Sequence, residues 1–478
     1  MEAFFQSIAF FIRDLGAAVW LPVPIFFFAV IMGAKAGRAF RAAVTIGVAF
    51  VGINLVIGEM WGTLSETAQA IVTWTGADLT AVDVGWPSSA AIAFGTAVGA
   101  FIIPIGIGVN ILFLVLGLTR TLNIDLWNFW HFAFLGSMIM VATNNIALSL
   151  FAAAVFAALM LFMADWTAKS VQKFFNLPGI SIPHGFSTSM VIPTIILNWV
   201  IDRIPGLKDW EADIDAIQRR FGVFGEPVVL GLVIGLVLGI VGFVLPGEMA
   251  TRETVIKVLQ VGVSLAAVMF LLPRMVAILM EGLIPVSEAA REFMSKRFGG
   301  ADVHIGLDSA ILIGHPSAIA ASLVMVPIVI VLAIILPGNR FLPFADLAVF
   351  PFLFAMMAPL TRGNVGRMLI IGTLAAIMGL YMGTWMAPYI TDAAPQAGFA
   401  IPEGAAQISA VGDGWDIWVW MMLLPATIGP FVGWIVAAVV LALVVVGALY
   451  YKRNTKRMDV LAGAPVEVEA APATPAMD

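Results

Sequence analysis

Apolar stretches long enough to cross a lipid bilayer occupy most of this chain, and short charged segments separate them. About 20 apolar residues in an α-helix span the hydrocarbon core while satisfying every backbone hydrogen bond. The 478 residues are 61% hydrophobic and only 11% charged, which a soluble domain would not be. The pattern predicts an all-α polytopic membrane protein with about eleven transmembrane helices. The predicted spans lie near 15–34, 43–63, 105–119, 126–145, 146–165, 226–246, 258–281, 317–337, 345–361, 366–385 and 417–450.

A weak internal repeat relates the two halves of the chain. Residues 85–89 (Gly-Trp-Pro-Ser-Ser) are answered by residues 306–310 (Gly-Leu-Asp-Ser-Ala), and Asp125 is answered by Asp346, both at an offset of 221 positions. Duplicated units of this kind build transporters that hold their substrate between the halves near mid-membrane. Chance similarity between apolar segments is the alternative, although the glycine, serine and aspartate anchors favour a repeat.

The repeat predicts how the two halves are related across the membrane. Each copy contains five predicted spans, and an odd number inverts the second copy relative to the first. Each copy also contains an apolar segment, roughly 86–103 and 303–316, that fits no full crossing. We predict that these segments are re-entrant hairpins, the first from outside and the second from the cytoplasm. Broken backbone is tolerated at this depth only where protein or a water-filled cavity surrounds it.

Lysine and arginine residues set the orientation. Segments 64–87 and 386–416 contain neither, which places them outside. Arg252, Lys257 and Arg340 are exceptions to the resulting assignment. We predict a multi-pass membrane protein with its N-terminus outside and its C-terminus in the cytoplasm. The net charge of −6 is spread through loops and the tail and indicates no nucleic-acid partner. The basic segments assigned to the cytoplasm are 33–43, 167–222, 286–299, 362–367 and the start of the tail.

The spans and the repeat together divide the chain into seven predicted parts. The tail is rich in alanine, proline and glutamate, a composition typical of disorder. The parts are an interfacial N-terminal segment 1–14, a first inverted repeat 15–166, a cytoplasmic linker 167–223 with a re-entrant or broken helix, a second inverted repeat 224–385, an external loop 386–416, a last span 417–457 and a disordered cytoplasmic tail 458–478.

No catalytic residue, cofactor or metal is predicted for this chain. It contains no cysteine, which excludes disulfides, thiolate metal sites and thiol chemistry on this polypeptide. The sequence has no glycine-rich phosphate loop with lysine, no nucleophile elbow and no cluster with metal-ligand spacing. The chain is therefore not itself an ATP-driven pump.

Asp308 is the strongest candidate for substrate contact. It lies in the apolar stretch 305–313, which contains no basic residue. A carboxylate at membrane depth is costly, so we expect it to face a cavity and bind a ligand. The competing interpretation is a helix N-cap, because Ser309 and an apolar run follow it. Both roles are compatible, and we include Ser309 among the candidates.

Three histidines lie near interrupted segments. His131 is early in a predicted span, His184 follows Pro183 in the linker, and His315 ends the second hairpin. Imidazole can hydrogen-bond a polyol and can take the proton of a hydroxyl that attacks phosphorus. A buried histidine is more often a satisfied core residue, and that alternative stays open at each position.

Hydroxyl and amide side chains complete the candidate set. Ser88 and Ser89 lie at the first hairpin and can donate to a ligand, but hydroxyls in turns often satisfy their own backbone. Asn145 lies at the junction of two predicted spans. It is either a turn residue or part of a polar lining.

Four longer motifs carry a resemblance to a known family. They occupy 221–227, 281–289, 305–316 (Ile-Gly-Leu-Asp-Ser-Ala-Ile-Leu-Ile-Gly-His-Pro) and 335–347. These motifs are similar to the galactitol-type enzyme IIC membrane component of the bacterial phosphotransferase system, in the ascorbate-galactitol superfamily. The resemblance covers nearly the whole chain except the tail.

This resemblance implies a homodimer whose protomers each have a scaffold domain and a mobile core domain. The core carries a sugar across the bacterial inner membrane in an elevator-like motion. A cytoplasmic IIB protein then phosphorylates the sugar from a phosphocysteine, with IIA and general phosphocarriers upstream. The absence of cysteine here agrees with a carrier thiol on another chain. By motif position, the ligand contacts are expected at Ser88, Ser89, His131, His184 and Asp308.

Two positions argue for a substrate other than ascorbate. Leu135, one turn after His131, and Gly185, directly after His184, lack the amide that ascorbate binders carry. We expect an acyclic hexitol, with galactitol first. One alternative is an ion-coupled secondary transporter of the same fold, acting without IIB, in which Asp308 binds a proton or sodium. Another is a sugar-sensing or structural membrane protein.

Overall fold

The computed structural model describes residues 17–20, 22–75, 80–208, 210, 226–245, 251–298, 303–343, 345–399, 401 and 406–465. The predicted interfacial segment 1–14, most of the charged segment 205–222 and the end of the tail lie outside the described residues.

The described chain is mostly helical, as the apolar stretches predict. The helices are α1 (Ala17–Trp20), α2 (Pro22–Ile31), α3 (Ala36–Thr75), α4 (Gly85–Gly95), α5 (Ala97–Val115), α6 (Phe129–Thr143), α7 (Ile146–Phe174), α8 (Gly185–Ser189), α9 (Val191–Ile201), α10 (Pro227–Phe243), α11 (Arg252–Phe298), α12 (Pro316–Ile335), α13 (Phe350–Leu360), α14 (Val365–Gln396), α15 (Val411–Gly414), α16 (Ile417–Ile428), α17 (Pro430–Arg453) and α18 (Thr455–Leu461).

Several of these helices have the length and composition of membrane spans. Among the described residues, six are long and apolar enough to cross a bilayer. This confirms a multi-pass membrane protein, while the count of eleven spans stays a prediction. The six are α5, α7, the first part of α11, α12, α14 and α17.

Two small parallel sheets were not expected of an all-α chain. Each strand has only two or three residues, too few to give an alternating pattern in the sequence. The first sheet has the strand order β5-β1-β6 and the second has the order β2-β4-β3. The strands are β1 (Ala81–Asp83), β2 (Thr121–Asn123), β3 (Ile180–Ser181), β4 (His304–Gly306), β5 (Phe341–Leu342) and β6 (Gln407–Ser409).

The sheets join the two halves of the chain. The central strand β1 of the first half pairs with β5 and β6 of the second half. The central strand β4 of the second half pairs with β2 and β3 of the first half. Each sheet therefore takes its central strand from one half and its two outer strands from the other.

The order of elements also recurs. A strand, a broken helical segment, a long helix, a strand and two helices run from β1 to α7, and again from β4 to α14. In both halves a third strand and two short helices follow, from β3 to α9 and from β6 to α16. The recurring order therefore extends past the repeat boundaries predicted at 166 and 385.

The two predicted hairpin segments contain broken backbone. In the first, α4 ends at Gly95 and α5 begins at Ala97, with the Thr96 hydroxyl accepting a hydrogen bond from the Gly99 amide 3.1 Å away. In the second, a single 3-10 turn, Ser309–Ile311, precedes the start of α12 at Pro316. Both breaks follow the central strand of a sheet.

The folded chain extends into the segment predicted as a disordered tail. Helix α18 begins at Thr455, and Asp459 within it is buried. The Trp166 indole donates a 2.8 Å hydrogen bond to the Met458 carbonyl, and the Ser170 hydroxyl donates to the Ala462 carbonyl. These bonds fix the C-terminal segment, up to residue 465, against the end of α7.

Candidate functional site

The second sheet brings a histidine and a carboxylate together. Strands β3 and β4 run parallel, with Ser181 opposite Gly306. His184 follows β3 by three residues and Asp308 follows β4 by two, so both leave the same edge of the sheet. His184 Nε2 lies 3.4 Å from Asp308 Oδ1, and both side chains are more than nine-tenths buried.

The hydrogen bonds around this pair indicate the histidine tautomer. His184 Nδ1 accepts a 3.4 Å hydrogen bond from the Ser187 amide, which leaves the ring proton of a neutral imidazole on Nε2, facing Asp308. Asp308 Oδ1 also accepts a 2.8 Å hydrogen bond from the Ala310 amide. Asp308 is thus the N-cap of the 3-10 turn and a partner of His184 at once, so the two alternative roles coincide.

His131 lies directly against His184. Their ring centroids are 4.7 Å apart, and His131 Nε2 is buried with no hydrogen-bond partner among the described residues. The approach depends on Gly185, because a Cβ built at that position would lie 2.6 Å from His131 Cγ. A larger side chain at 185 therefore requires the His131 ring to move.

Two further polar residues lie at this place, and neither is among the site residues that the sequence predicts. Asn128 is fully buried, and neither its amide nitrogen nor its amide oxygen has a partner in the described part of the chain. Asp125 is partly exposed, accepts a 3.1 Å hydrogen bond from the Trp127 amide and interacts electrostatically with Asp308. The recurrence of Asp125 as Asp346 is a usable signal, whereas Asn128 is one of several amides in predicted spans, for which hydrogen bonding between helices is the default interpretation.

Aromatic rings form one wall beside these polar groups. Trp86 stacks on Trp130 with ring centroids 6.3 Å apart and an interplanar angle of 25°. Phe352 stacks on His184 at 5.8 Å and contacts Trp86 at 6.1 Å. Phe186 packs edge-on against Trp130 and against His131. Aromatic faces next to buried donors and acceptors suit a ligand with both C–H and hydroxyl surfaces.

The serine candidates have different surroundings. The Ser187 hydroxyl donates a 2.7 Å hydrogen bond to the Ser309 hydroxyl, which links the two broken segments beside Asp308. The Ser88 hydroxyl donates to the Val84 carbonyl one turn earlier, as a hydroxyl satisfying its own backbone does. The Ser89 hydroxyl is buried beside the Asp413 carboxyl.

Two predicted site residues lie away from the His184–Asp308 pair. Asn145 is the N-cap of α7, where its side-chain oxygen accepts a 3.0 Å hydrogen bond from the Leu148 amide. It follows the whole of α6, about 20 Å along the helix from His131. His315 caps α12 and packs on the rings of Phe174 and Phe175. Partial burial lowers the pKa of the His315 imidazole from its ordinary value.

Asp346 fixes the segment that carries Trp86. One carboxylate oxygen accepts a 2.6 Å hydrogen bond from the Trp86 amide, and the other accepts a 2.8 Å bond from the Gly412 amide. Asp83 in turn accepts from the Asp346 amide at 3.0 Å. These carboxylates hold backbone of the two halves together and so set the position of the aromatic wall.

Helices long and apolar enough to span a membrane, broken segments from both halves and a buried polar cluster against aromatic rings define a multi-pass membrane protein with a candidate ligand site in its interior. The family model described as the PTS system sugar-specific permease component, EIIC-GAT, matches residues 10–404. The chain belongs to this family and is a sugar permease component of a phosphotransferase system (PTS).

Curated relatives from one species agree with this assignment. The putative permease IIC component of Escherichia coli (strain K12) is 39% identical over 437 residues, covering 91% of this chain and 98% of that protein. The PTS system galactitol-specific EIIC component of the same strain is 38% identical over 420 residues, covering 88% of this chain and 90% of that protein. The galactitol-specific component of Escherichia coli O157:H7 gives the same values.

Proposed function

We propose that this protein is the galactitol-binding permease subunit of its phosphotransferase system, and that it holds the polyol at the His184–Asp308 pair. The observation that carries the proposal is the buried 3.4 Å contact between these side chains, each delivered by a broken segment from a different half. Resemblance to the galactitol-specific component of Escherichia coli supports the choice of substrate.

The polar atoms around the pair suit a polyol. Asp308 accepts hydrogen bonds from hydroxyls, and such charge-assisted bonds contribute about 1.5–3 kcal/mol each. The Asn128 amide and His131 Nε2 supply a donor and acceptors that have no partner among the described residues. Ser309 adds a hydroxyl beside Asp308. Ser88 and Ser89, on α4, are weaker candidates, and Asn145 and His315 act at helix ends.

Positions 135 and 185 carry no amide side chain, which favours a hexitol over ascorbate as the ligand. Gly185 has no room for a side chain while His131 stays where it is, since the Cβ would lie 2.6 Å from the ring. Leu135 is fully buried and apolar. A ligand here is therefore recognised through carboxylate, imidazole and the Asn128 amide.

Phosphorylation is assigned to a separate cytoplasmic protein. This chain has no cysteine, so a phosphocysteine must be supplied by a IIB partner, itself fed by IIA and general phosphocarriers. In the transfer an oxygen–phosphorus bond to the sugar forms, the sulfur–phosphorus bond breaks and the thiolate leaves. The hydroxyl proton passes toward the Asp308–His184 pair. Catalysis of this kind depends mainly on positioning and charge stabilisation.

The transport cycle we propose moves the site as a unit. The recurring elements from β1 to α9 and from β4 to α16 form an inverted pair, with the polyol between them. One body moves against a scaffold in an elevator-like step, in a homodimer. The N-terminus lies outside and the C-terminus in the cytoplasm, as the distribution of basic residues favours.

Equilibrium binding to the purified protein tests this proposal. Labelled galactitol is titrated in detergent without sodium, with mannitol, sorbitol and ascorbate as competitors. We expect galactitol to bind and ascorbate not to compete. Binding that requires sodium, or that follows ascorbate rather than galactitol, would reject the assignment and favour an ion-coupled transporter or another substrate.

A further inference from the structure

A basic cavity lies near one end of the molecule, where α9, the α13–α14 turn and the C-terminal segment meet. It has a volume of about 740 Å³ and is lined in part by Asn198, Arg362 and Arg367. A second cavity of about 510 Å³ adjoins it and is lined in part by Lys173, Phe174 and the same Arg362. Arg362 is thus common to both cavities.

The basic side chains of these cavities differ in their partners. Arg367 is fully engaged, because its guanidinium bonds to the Asn198 amide oxygen and to the Asp202 carboxylate, each at 2.6 Å, and to the Lys208 carbonyl. Arg362 and Lys173 are exposed and have no ion pair or hydrogen bond from their side chains within the described residues. Asp202, the one carboxylate among the described lining residues, is paired with Arg367, so Arg362 and Lys173 face the cavities without an ion pair of their own.

Arg362 occupies an unusual backbone position. Its φ angle is +55°, in the left-handed region, and Gly363 follows with φ of +77°. The turn closes α13 through a 2.8 Å hydrogen bond from the Gly363 amide to the Ala358 carbonyl. Glycine or asparagine is the usual residue in a left-handed position after a helix. An arginine is held there against its backbone preference, with its side chain at the cavities.

The Arg362 turn lies beside the segment that carries Asp308. A Cβ built at Gly363 would lie 3.4 Å from the Phe174 ring and 3.9 Å from the Ser317 hydroxyl. Ser317 Oγ is 2.7 Å from His315 Nδ1, and the rings of Phe174 and His315 are in contact. His315 ends the broken segment that begins after β4. An anion bound at Arg362 would therefore lie close to the C-terminal end of this broken segment.

The charge of the surrounding surface places this end in the cytoplasm. Lys173 lies in the last turn of α7, and Lys169 one turn earlier is 3.9 Å from Asp459 of α18. Lys452 and Arg453 end α17, just before that helix. Basic residues concentrated at one end of a membrane protein mark its cytoplasmic side.

We propose that Arg362 and Lys173 bind the phosphoryl group carried on the cysteine of the cytoplasmic IIB protein. They would dock it next to His315, at the end of the broken segment that carries Asp308. This inference rests on the function proposed above. A phosphorylated cysteine is a compact dianion, which an arginine fork and a lysine ammonium recognise together. The occupant of the cavities is thus a protein loop with a phosphorylated thiol.

Binding of the IIB protein of a galactitol system to the full chain in lipid nanodiscs tests the proposal. Affinity is measured for the phosphorylated and unphosphorylated forms, with galactitol binding measured in parallel. We expect Arg362→Ala to weaken binding of the phosphorylated form at least about tenfold, with a smaller loss for the unphosphorylated form. Lys173→Ala should act in the same direction, and galactitol binding should be unchanged.

Arg457→Ala is the matched control, because Arg457 is exposed on α18 at the same end and lines neither cavity. Equal losses in Arg457→Ala and Arg362→Ala, or no loss in Arg362→Ala, would overturn the docking site while leaving the permease function intact. Wild-type protein that binds galactitol but distinguishes neither form of IIB would overturn both the docking site and the coupling to phosphorylation.

Discussion

His184 Nε2 lies 3.4 Å from Asp308 Oδ1, although the two residues are 124 positions apart in the chain. The contact follows from the parallel pairing of β3 with β4, which sends the chain from both strands out of one edge of the sheet. A short sheet that mixes the two halves therefore builds the candidate site, and the broken segments after β3 and β4 provide His184 and Asp308.

Removal of the Asp308 carboxylate should nearly abolish galactitol binding. Each charge-assisted hydrogen bond contributes about 1.5–3 kcal/mol, so Asp308→Ala should weaken binding by about ten- to a hundredfold per bond lost. Asp308→Asn keeps an acceptor for the Ala310 amide and is the control for folding. Calorimetric titration gives both affinities. Near-wild-type affinity in a folded Asp308→Ala protein would exclude the carboxylate from the site.

Substitution of Asn128 should weaken ligand binding without lowering the stability of the protein. Its buried amide has no partner among the described residues, and a buried unsatisfied polar group costs about 1–3 kcal/mol. Asn128→Leu, of similar volume, should therefore keep or raise the melting temperature of the ligand-free protein while weakening galactitol binding. Thermal melting and titration on the same sample measure the two effects. A large drop in melting temperature with unchanged affinity would mean that Asn128 is purely structural.

Gly185 should tolerate no side chain. A Cβ there would lie 2.6 Å from His131 Cγ, and overpacking of this kind costs about 1–3 kcal/mol. Gly185→Ala should displace the His131 ring and lower both galactitol affinity and melting temperature. Gly108→Ala is the control, because a Cβ at Gly108 in α5 would meet no atom within 4 Å. Equal behaviour of the two variants would refute the close approach.

Asp346 should stabilise the fold rather than bind the ligand directly. Its carboxylate accepts hydrogen bonds from the Trp86 and Gly412 amides, and Asp346→Ala loses both. Each such bond contributes about 1.5–3 kcal/mol, so the melting temperature should fall clearly. Asp392→Ala, which removes an exposed carboxylate from α14, is the comparison. Tryptophan fluorescence follows the thermal unfolding of both variants. The same unfolding midpoint in both would contradict this role.

The orientation of the chain across the membrane can be measured by labelling introduced cysteines, because the chain has no cysteine of its own. Single cysteines are introduced as Asp392→Cys and Lys456→Cys, both at exposed positions. A membrane-impermeant maleimide should label Asp392→Cys in right-side-out vesicles and Lys456→Cys only in inverted ones. The opposite pattern would reverse the predicted topology and move the Arg362 cavities to the outside.

The helical, membrane-spanning character of the chain could be predicted because long apolar runs have one solution in a bilayer. The two sheets could not, since strands of two or three residues leave no period in the sequence. For the same reason, the sequence does not show how far the recurring order of helices and strands extends. Strands β3 and β6 and the short helices after them lie in the segments predicted as a linker and an external loop.

The candidate site was partly predictable for a similar reason. His131, His184 and Asp308 are polar residues in apolar surroundings, and the structure brings all three together. Asn145 has the same sequence character but sits beyond the far end of α6 as a helix cap. Asn128 differs from Asn145 in the groups that surround its side-chain amide. Contacts between segments that are distant in the chain determine those surroundings. Their roles toward the ligand stay predictions.

Transport out of inverted membrane vesicles tests the central claim most directly. Vesicles containing the protein are loaded with labelled galactitol, and purified IIB, with or without phosphate on its cysteine, is supplied on the cytoplasmic face. The account predicts that galactitol phosphate appears on that face only with phosphorylated IIB, and that Asp308→Asn prevents it. Release of free galactitol without IIB, driven by a proton or sodium gradient, would contradict it.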